Sequence, residues 1–371
     1  MRMLRCALLV MLVTSSAYYA TSPKHHRVND LASNFPSVSL RSFAPLRLCV
    51  KCAVGLTPSR KDAKKNRKVR DESAKEIPST SGDAYIFSYF KGNGEDGLHL
   101  AYSEDGLIWR ELNGGKSLLR PVAGRSKLMR DPQMIAGPDG LFHMVWTTSW
   151  NDQVIGYATS KDLINWSRQR GFTPMKHEPT VLNVWAPELF YDSRKREYLL
   201  FWSSTIPGRF PATDRSGDNG RNHRIYLTTT KDFRRFTPTR LFYDPGFSVI
   251  DATIVRDDRR YVMIFKDETR WPEAKKNLHY AVSDQATGAY GVASLPITGN
   301  YWAEGPTAIK IDGKWIVYFD KYREHRYGAV ASADWTNWED ISAQLRFPDG
   351  ARHGTVLRVS RAALNKLLNL K

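Results

Sequence analysis

The chain has 371 residues, of which 42% are hydrophobic and 12% aromatic, so it can bury a large core. This composition excludes a disordered or coiled-coil protein, and no run after residue 20 is long and apolar enough to cross a membrane. Much of the net charge of +17 comes from residues 1–82, which contain 15 lysines and arginines and 5 acidic residues. The basic run RKDAKKNRKVR has no interleaved aromatic residues, so we expect no nucleic-acid partner.

Residues 1–82 divide into two segments. Arg2 and Arg5 precede the apolar run CALLVMLV and the small-residue stretch TSSAYYA, which predicts a secretory signal peptide over residues 1–20. A misassigned start codon is the alternative. Residues 21–82 include RKDAKKNRKVR and are predicted to be a basic, disordered linker, with a surface-binding tail as the alternative. We therefore expect a secreted or periplasmic protein.

From Asp83 onward, one phrase occurs in five versions, each with a Ser or Thr followed six or seven residues later by an aromatic residue. The versions are YSEDGLIW, YATSKDLINW, TTKDFRRF, SDQATGAY and SADWTNW. Two strand-like runs precede every version, a third precedes four of them, and the terminal aromatic lies in a fourth. Five such units predict an all-β fold over residues 83–371, a five-bladed β-propeller of four-stranded antiparallel blades. A double-sheet sandwich would explain the alternation but not the repeated phrase.

The first unit lacks its opening strand, and a matching strand, HGTVLRVS, begins at His353 near the other end of the chain. We therefore expect the last blade to be closed by both termini. We expect the protein to be a monomer.

In a propeller, the first strand of each blade lines the central channel, so residues that open these strands converge. Three such strands are opened by Asp131, Asp251 and Glu304, and a fourth contains Trp185 and Glu188. Each carboxylate alone could be a solvated strand-opening or turn residue. At equivalent positions of three blades, however, they would crowd negative charge and separate their pKa values, which suits acid/base catalysis.

Two carboxyl groups across a pocket can cleave a glycosidic bond, because one protonates the leaving oxygen while the other activates water or attacks directly. The aromatic candidates for stacking on sugar faces are Trp150, Trp185, Trp302 and Tyr322. Trp109, Trp166 and Trp338 belong to the repeated phrase, and we assign them to packing between blades.

Two further segments are candidates for sugar contacts. The stretch TDRSGDNGRNHR, residues 213–224, is either a surface loop or a rim of the pocket from which His223 or Arg224 reaches the sugar. The stretch FKDET places Lys266 or Asp267 near Asp251.

The order RDP, WAPE, IDA and EGP, each opening a blade, resembles glycoside hydrolase family 43, the five-bladed arabinofuranosidases and xylosidases. The resemblance runs from about Tyr85 to about Val359. It implies hydrolysis of terminal α-L-arabinofuranosyl or β-D-xylosyl residues from plant-type oligo- or polysaccharides with inversion. It implies that Asp131 is the general base, Glu304 the general acid, and Asp251 the residue that raises the pKa of the acid and orients it. Inversion implies that base and acid lie roughly 6.5–9.5 Å apart.

The resemblance also gives His353 the place of an axial histidine beside a bound calcium or water, although a hydrogen-bonded core histidine fits the sequence equally. No cofactor is required. A structural calcium on the propeller axis is the ion that the resemblance suggests, with His353 as the candidate metal-site residue.

Three alternatives remain at this stage. A propeller that binds carbohydrate without catalysis would use the same aromatics and carboxylates. The phrase RDP also occurs in the invertase and levansucrase group, but the second motif of that group, of W-M-N-D-P type, is absent here. The third alternative makes the basic segment the functional part and the propeller its scaffold.

Overall fold

The computed structural model describes residues 83–370, and the predictions for residues 1–82 lie outside the described residues. The described chain forms five antiparallel sheets arranged as a five-bladed β-propeller, which confirms the predicted fold. Within residues 83–370, the single α-helix is α1 (Arg361–Leu368), and no helix is suited by length and hydropathy to span a membrane.

The nineteen strands of the described chain are short, as is usual for propeller blades. In chain order they are β1 (Asp83–Phe90), β2 (His99–Ser103), β3 (Arg110–Glu111), β4 (Arg130–Ala136), β5 (Phe142–Thr147), β6 (Ile155–Ser160), β7 (Arg170–Phe172), β8 (Trp185–Asp192), β9 (Glu197–Thr205), β10 (His223–Thr230), β11 (Arg240–Tyr243), β12 (Val249–Asp257), β13 (Arg260–Asp267), β14 (Leu278–Ser283), β15 (Glu304–Ile311), β16 (Lys314–Lys321), β17 (Arg326–Ser332), β18 (Glu339–Asp340) and β19 (Arg352–Ser360). Single 3₁₀ turns occupy Asn113–Gly115, Pro211–Thr213, Asp218–Gly220 and Ser342–Gln344.

Each blade is one sheet. Blade I contains β4 to β7, blade II β8 to β11, blade III β12 to β14 and blade IV β15 to β18. In blade V, β19 is the first strand and pairs antiparallel with β1, which continues to β2 and β3. The pairing runs from Asp83↔Ser360 to Phe90↔Arg352, so strands from the two ends of the described chain share this blade.

Blade III departs from the four-stranded pattern, because its sheet has three regular strands. The segment that follows β14 donates separate backbone hydrogen bonds to it, from Gly291 to Val282, from Ser294 to Tyr280 and from Ile297 to Leu278. The fourth strand of this blade is thus replaced by an irregular segment that follows the same edge.

The hydrophobic core lies between neighbouring blades. Five clusters of buried side chains fill the five interfaces, such as Trp146 with Ile86 between blades I and V. The tryptophans of the repeated phrase pack against these clusters, Trp109 as a buried member and Trp166 and Trp338 as partly buried neighbours. This packing joins the blades into a closed ring and leaves the first strands to face the axis.

Candidate active site

The first strands of blades I to IV each contain a β-bulge at their N-terminal end. In blade I, Arg130 pairs with Thr147, and the next paired residue is Gln133. The first skipped residue has positive φ in all four blades, and these residues are Asp131 (53°), Ala186 (45°), Asp251 (55°) and Gly305 (58°). Because residues other than glycine seldom adopt this conformation, the bulge is a specific device that redirects the side chains at the axis.

The bulge shows that the three carboxylates are not at equivalent positions, and the prediction that they are is wrong. Glu304 pairs with Asp320 and therefore corresponds to Arg130 of blade I, whereas Asp131 and Asp251 are skipped residues. The position that corresponds to Asp131 in blade IV is Gly305. Strand pairing sets this register, and motif order does not reveal it.

Gly305 at this position serves the packing of the site. Its φ is 58°, and a Cβ atom there would lie 2.3 Å from Cγ of His353. A larger residue would therefore displace the His353 ring from the axis.

The carboxylates Asp131, Asp251 and Glu304 line one cavity of about 370 Å³ at the channel mouth. Its other lining residues come from the five blades and the loop before β10. They are Arg130, Thr147, Trp150, Trp185, Asp218, Asn219, Arg221, His223, Ile250, Lys266, Glu268, Tyr322, Arg352 and His353.

Asp131 is held ionised. Its Oδ2 accepts a hydrogen bond of 2.8 Å from the Thr147 hydroxyl, and its Oδ1 lies 3.3 Å from Nδ1 of His353. Burial opposes ionisation, but the charge and hydrogen bond of His353, with Arg130 and Thr147, lower the pKa of Asp131 to about 2. The carboxylate is therefore fixed in orientation and available to accept a proton.

Asp251 has the opposite electrostatics. Its Oδ2 accepts from the Gly305 amide at 3.1 Å and lies 3.9 Å from Nδ1 of His353. Burial raises the pKa of Asp251 to about 6 against the charge of His353, and the neighbouring charge of Glu304 adds to the rise. Asp251 thus keeps a proton at higher pH than Asp131 does.

Glu304 is bound by two cations. Lys266 donates to its Oε2 at 3.0 Å, and Arg352 donates to its Oε1 at 3.3 Å. Burial favours the neutral acid, but Lys266 and Arg352 outweigh it and lower the pKa of Glu304 below the usual value. The resemblance implies a raised pKa for the acid, so the direction found for Glu304 is the opposite. The reason is that Lys266 and Arg352, which are distant from Glu304 in sequence, contact its carboxylate.

One side of the cavity is a wall of alternating cations and aromatic rings. Arg130 lies 4.1 Å from the Trp150 ring, Arg221 lies 4.5 Å from the Trp185 ring, and the two tryptophans meet edge to face at 5.5 Å. We call Arg130, Trp150, Trp185 and Arg221 the cationic wall. It offers ring surfaces of the kind that stack on sugars.

A family model matches residues 81–365 of the chain. The family is described as a probable glycosyl hydrolase domain and is related to glycoside hydrolase family 43. The match covers more than half of the chain. The chain belongs to this family. The resemblance to family 43 that the blade-opening motifs indicate is thereby confirmed.

The chain is distantly similar in sequence to one characterised arabinofuranosidase. An α-L-arabinofuranosidase of Bifidobacterium longum subsp. longum is 24% identical over 219 residues, which are 53% of this chain and 20% of that protein. The chain thus spans about a fifth of the length of this relative.

Solved structures were also found. An α-L-arabinofuranosidase from Lactobacillus brevis is 17% identical, with 58% of this chain and 72% of that chain covered and a TM-score of 0.47. An exo-β-1,3-galactanase from Phanerochaete chrysosporium with galactose is 14% identical, with 69% and 54% covered and a TM-score of 0.47.

Most of the predicted site residues of this family member lie together. Beside the three carboxylates, the cavity is lined by Trp150, Trp185, Lys266, Tyr322 and His353. Lys266 lies 4.6 Å from the Tyr322 ring, so these two also contact each other.

Three candidates for substrate binding do not line this cavity: Glu188 of a channel-lining strand, Arg224 and Trp302. Glu188 lies beyond the bulge, accepts from Thr253 at 3.0 Å, and has its pKa raised by burial to about 8. Arg224 is buried and donates to Asp244 and Asn222. It points away because successive side chains of a strand face opposite sides, and His223 occupies the cavity side.

Trp302 lies 5.8 Å from the Tyr322 ring and packs against Arg270 and Arg323, each 5.0 Å from its ring. Its ring therefore packs behind Tyr322, which lines the cavity, and does not line the cavity itself. A tryptophan next to the EGP motif gives no sequence signal that separates these two placements.

Sequence reasoning missed several lining residues, among them Arg130, Arg352 and Glu268. Arg130 and Arg352 directly precede Asp131 and His353 in the sequence, and this adjacency to candidate residues was the available signal. In the structure, both arginines are the paired residue before a bulge. Glu268 forms ion pairs with Lys266 at 2.8 Å and with Lys276 at 2.6 Å, and only these contacts reveal its place in the site.

The predicted metal role of His353 does not fit its surroundings. Calcium prefers oxygen ligands, and the carboxylates of Asp131 and Asp251 face the imidazole as ion-pair partners. Burial disfavours the charged imidazole, but these two carboxylates outweigh it and raise the pKa of His353 to about 9. Residues 83–370 contain no group of three or more His, Cys, Asp or Glu placed to hold a metal ion. The axial calcium stays a prediction.

Proposed function

We propose that the protein is an inverting glycosidase that removes terminal α-L-arabinofuranosyl or β-D-xylosyl residues from plant-type oligo- or polysaccharides. The observation that carries the proposal is the meeting of Asp131, Asp251 and Glu304, from three blades, in one cavity with two tryptophans. Family membership supports the reaction class, and the name of the Bifidobacterium relative, an α-L-arabinofuranosidase, favours the first substrate.

Asp131 is the proposed general base. It is ionised at every working pH, and Thr147 and His353 fix both of its oxygens. It takes a proton from a water molecule, whose oxygen attacks the anomeric carbon as the glycosidic bond breaks. The configuration inverts in this single step, and the leaving oxygen must receive a proton.

The proton for the leaving group belongs to the pair Asp251 and Glu304. In the unliganded protein, Asp251 holds it more readily, because Lys266 and Arg352 favour the ionised form of Glu304. We propose that Glu304 remains the donor, and that a sugar in the cavity excludes water and moves the shared proton towards it. Asp251 as the direct donor is the second candidate, favoured by its own raised pKa.

The experiment compares Glu304→Gln and Asp251→Asn with the unsubstituted protein on two kinds of substrate. Nitrophenyl arabinofuranosides and xylosides release nitrophenolate, which leaves without being protonated. The sugar hydroxyl released from an arabinoxylan oligosaccharide must receive a proton as it leaves. The variant of the true acid should lose about 10²–10⁴-fold in kcat/KM on oligosaccharides and far less on nitrophenyl glycosides. The variant of the other carboxyl should lose similar factors on both.

The control is Asp284→Ala, which changes an exposed residue directly after β14 in blade III and should leave both rates unchanged. Equal losses on both substrates for both variants would overturn the acid assignment. Binding of oligosaccharides without any release of sugar by the folded, unsubstituted protein would overturn hydrolysis and favour a binding propeller. Product anomer analysis by NMR tests inversion directly.

A further inference from the structure

The cations that line the cavity fall into two groups. Lys266, Arg352 and His353 each lie within salt-bridge distance of two carboxylates. Arg130 and Arg221 have no such partner among residues 83–370. Since a buried or half-buried charge normally finds a counter-charge, these two guanidinium groups are the exceptions.

Neutral contacts hold both arginines in place. Arg130 donates to the side-chain oxygen of Asn93 at 2.9 Å, and Arg221 donates to that of Asn151 at 3.1 Å. Both also face tryptophan rings of the cationic wall. The Nε atom of Arg221 is buried and has no hydrogen-bond partner in the described chain, and burial lowers the pKa of this arginine. The contacts therefore orient the charges without neutralising them.

The carboxylates of the cavity form their ion pairs with other cations, although the charge of Arg130 also acts on Asp131 from beyond salt-bridge distance. Asp131 and Asp251 face His353, and Glu304 is bound by Lys266 and Arg352. The other two are Glu268, which is bound by Lys266 and Lys276, and Asp218, which is bound by Lys276.

His223 is a second, independent sign of an absent ligand. Its side chain lines the cavity beside Trp185, at 5.1 Å between ring centroids, and is only 1% exposed. Both of its ring nitrogens lack a hydrogen-bond partner in residues 83–370. Burial and the charges of Arg221, Lys276 and Lys266 keep the ring neutral by lowering its pKa. A neutral imidazole offers one donor and one acceptor, which suits a sugar hydroxyl.

We propose that the cationic wall binds an acidic substituent of the sugar substrate, a carboxylate or a sulfate ester, while His223 hydrogen-bonds a hydroxyl of the same ligand. The anion lies against the unpaired guanidinium groups of Arg221 and Arg130, with the sugar ring on Trp185 or Trp150. This inference rests on the proposed function for its substrate class, a glycan, and narrows that class to acidic glycans.

The test measures binding and is therefore independent of hydrolysis. The protein carries Asp131→Asn to prevent turnover, and the ligands are arabinoxylan and galactan oligosaccharides, each in neutral, uronic-acid-substituted and sulfated form. We expect an acidic form to bind at least about tenfold more tightly than its neutral counterpart by calorimetry at low salt. The preference should fall as salt rises.

Arginine variants in the same background locate the site. Arg221→Gln should remove most of the preference and Arg130→Gln part of it. Arg215→Gln is the matched control, since Arg215 lies in the same loop with 84% of its side chain exposed, and it should keep the full preference. Thermal unfolding verifies that each variant folds. The ratio of the affinities for acidic and neutral oligosaccharides is also measured with both arginines in place, so this part of the test does not depend on the folding of any arginine variant.

Each possible result of the binding test either supports the inference or overturns it. Preference for the uronic acid form alone identifies a carboxylate, and preference for the sulfated form alone identifies a sulfate ester. Equal binding of neutral and acidic forms, no binding of any acidic form, or equal loss in Arg215→Gln overturns the inference. Acidic oligosaccharides that bind but are not cleaved by the unsubstituted protein would leave this inference standing and refute the proposed hydrolysis.

Discussion

The outer turns of the blades and the bulges at the axis both recur around the ring, yet only the turns keep the same residues. In blade I, the Ser160 hydroxyl accepts from the Leu163 amide at 2.8 Å, and Oδ1 of Asp162 accepts from the next two amides. The same Ser/Thr and Asp pairs make these bonds at Ser103 and Asp105, Thr230 and Asp232, and Ser332 and Asp334.

The bulges share a backbone and differ in side chains. Blade I presents Arg130 and Asp131, blade II presents Trp185 and Ala186, and blade IV presents Glu304 with a glycine. A turn satisfies its own backbone amides, so four of the five blades use the same Ser/Thr and Asp pair there. In blade III, Gln285 takes the place of the Asp, and its backbone amide donates to the Ser283 hydroxyl. The axis is shared by all blades, so each can contribute a different group to one site. In this protein, side chains that recur from blade to blade therefore have structural roles, and side chains that differ between blades form the site.

The largest effect that this contrast predicts is at the axis. Asp131→Asn should lower kcat/KM by about 10²–10⁴-fold or more on every substrate, because the amide cannot accept a proton from water. Asn keeps an oxygen for the Thr147 hydroxyl, so the fold should persist. Initial rates and thermal unfolding check both halves. Retention of more than about a tenth of the activity would refute Asp131 as the base.

A second prediction concerns the pH dependence of stability. The pKa of His353 is about 9 in the folded protein, against about 6.5 in an unfolded chain. Its stabilising contribution is therefore complete below about pH 6.5 and is lost as pH rises towards about 9, because the folded state then holds a proton that the unfolded state has released. The free energy of unfolding, measured from pH 6 to 10, should fall over this window.

The comparison protein for that measurement is His353→Gln, which should lack this fall. If the two proteins change in parallel with pH, the proton on His353 is not what Asp131 and Asp251 stabilise.

The smallest predicted effects are at the outer turns. Asp162→Ala should lower the free energy of unfolding by about 1 kcal/mol, since two backbone amides lose their acceptor. Asp284→Ala in blade III should change it by less than about 0.5 kcal/mol, because the Asp284 carboxylate accepts no hydrogen bond within the described chain. Denaturant unfolding measures both. Neither should change kcat/KM, and a large loss of activity in Asp162→Ala would contradict the division between turn and axis.

The propeller and much of the site could be predicted from the amino-acid sequence. The turn phrase around Asp162 and the motifs that open the first strands are local patterns. Such patterns involve residues that are close in sequence, so they can be recognised without knowledge of the tertiary structure. Because first strands meet at the axis in this fold, the motif residues Asp131, Asp251 and Glu304 could be assigned to one pocket.

The strand register, the direction of the side chains and the protonation of the site carboxylates depend on tertiary contacts. Strand pairing placed Glu304 before its bulge, and strand alternation turned His223 inward and Arg224 outward. The low pKa of Glu304 depends on Lys266 of blade III and Arg352 of blade V, which are distant in sequence. Such properties arise from the distances between groups on different blades, and a linear pattern does not contain those distances.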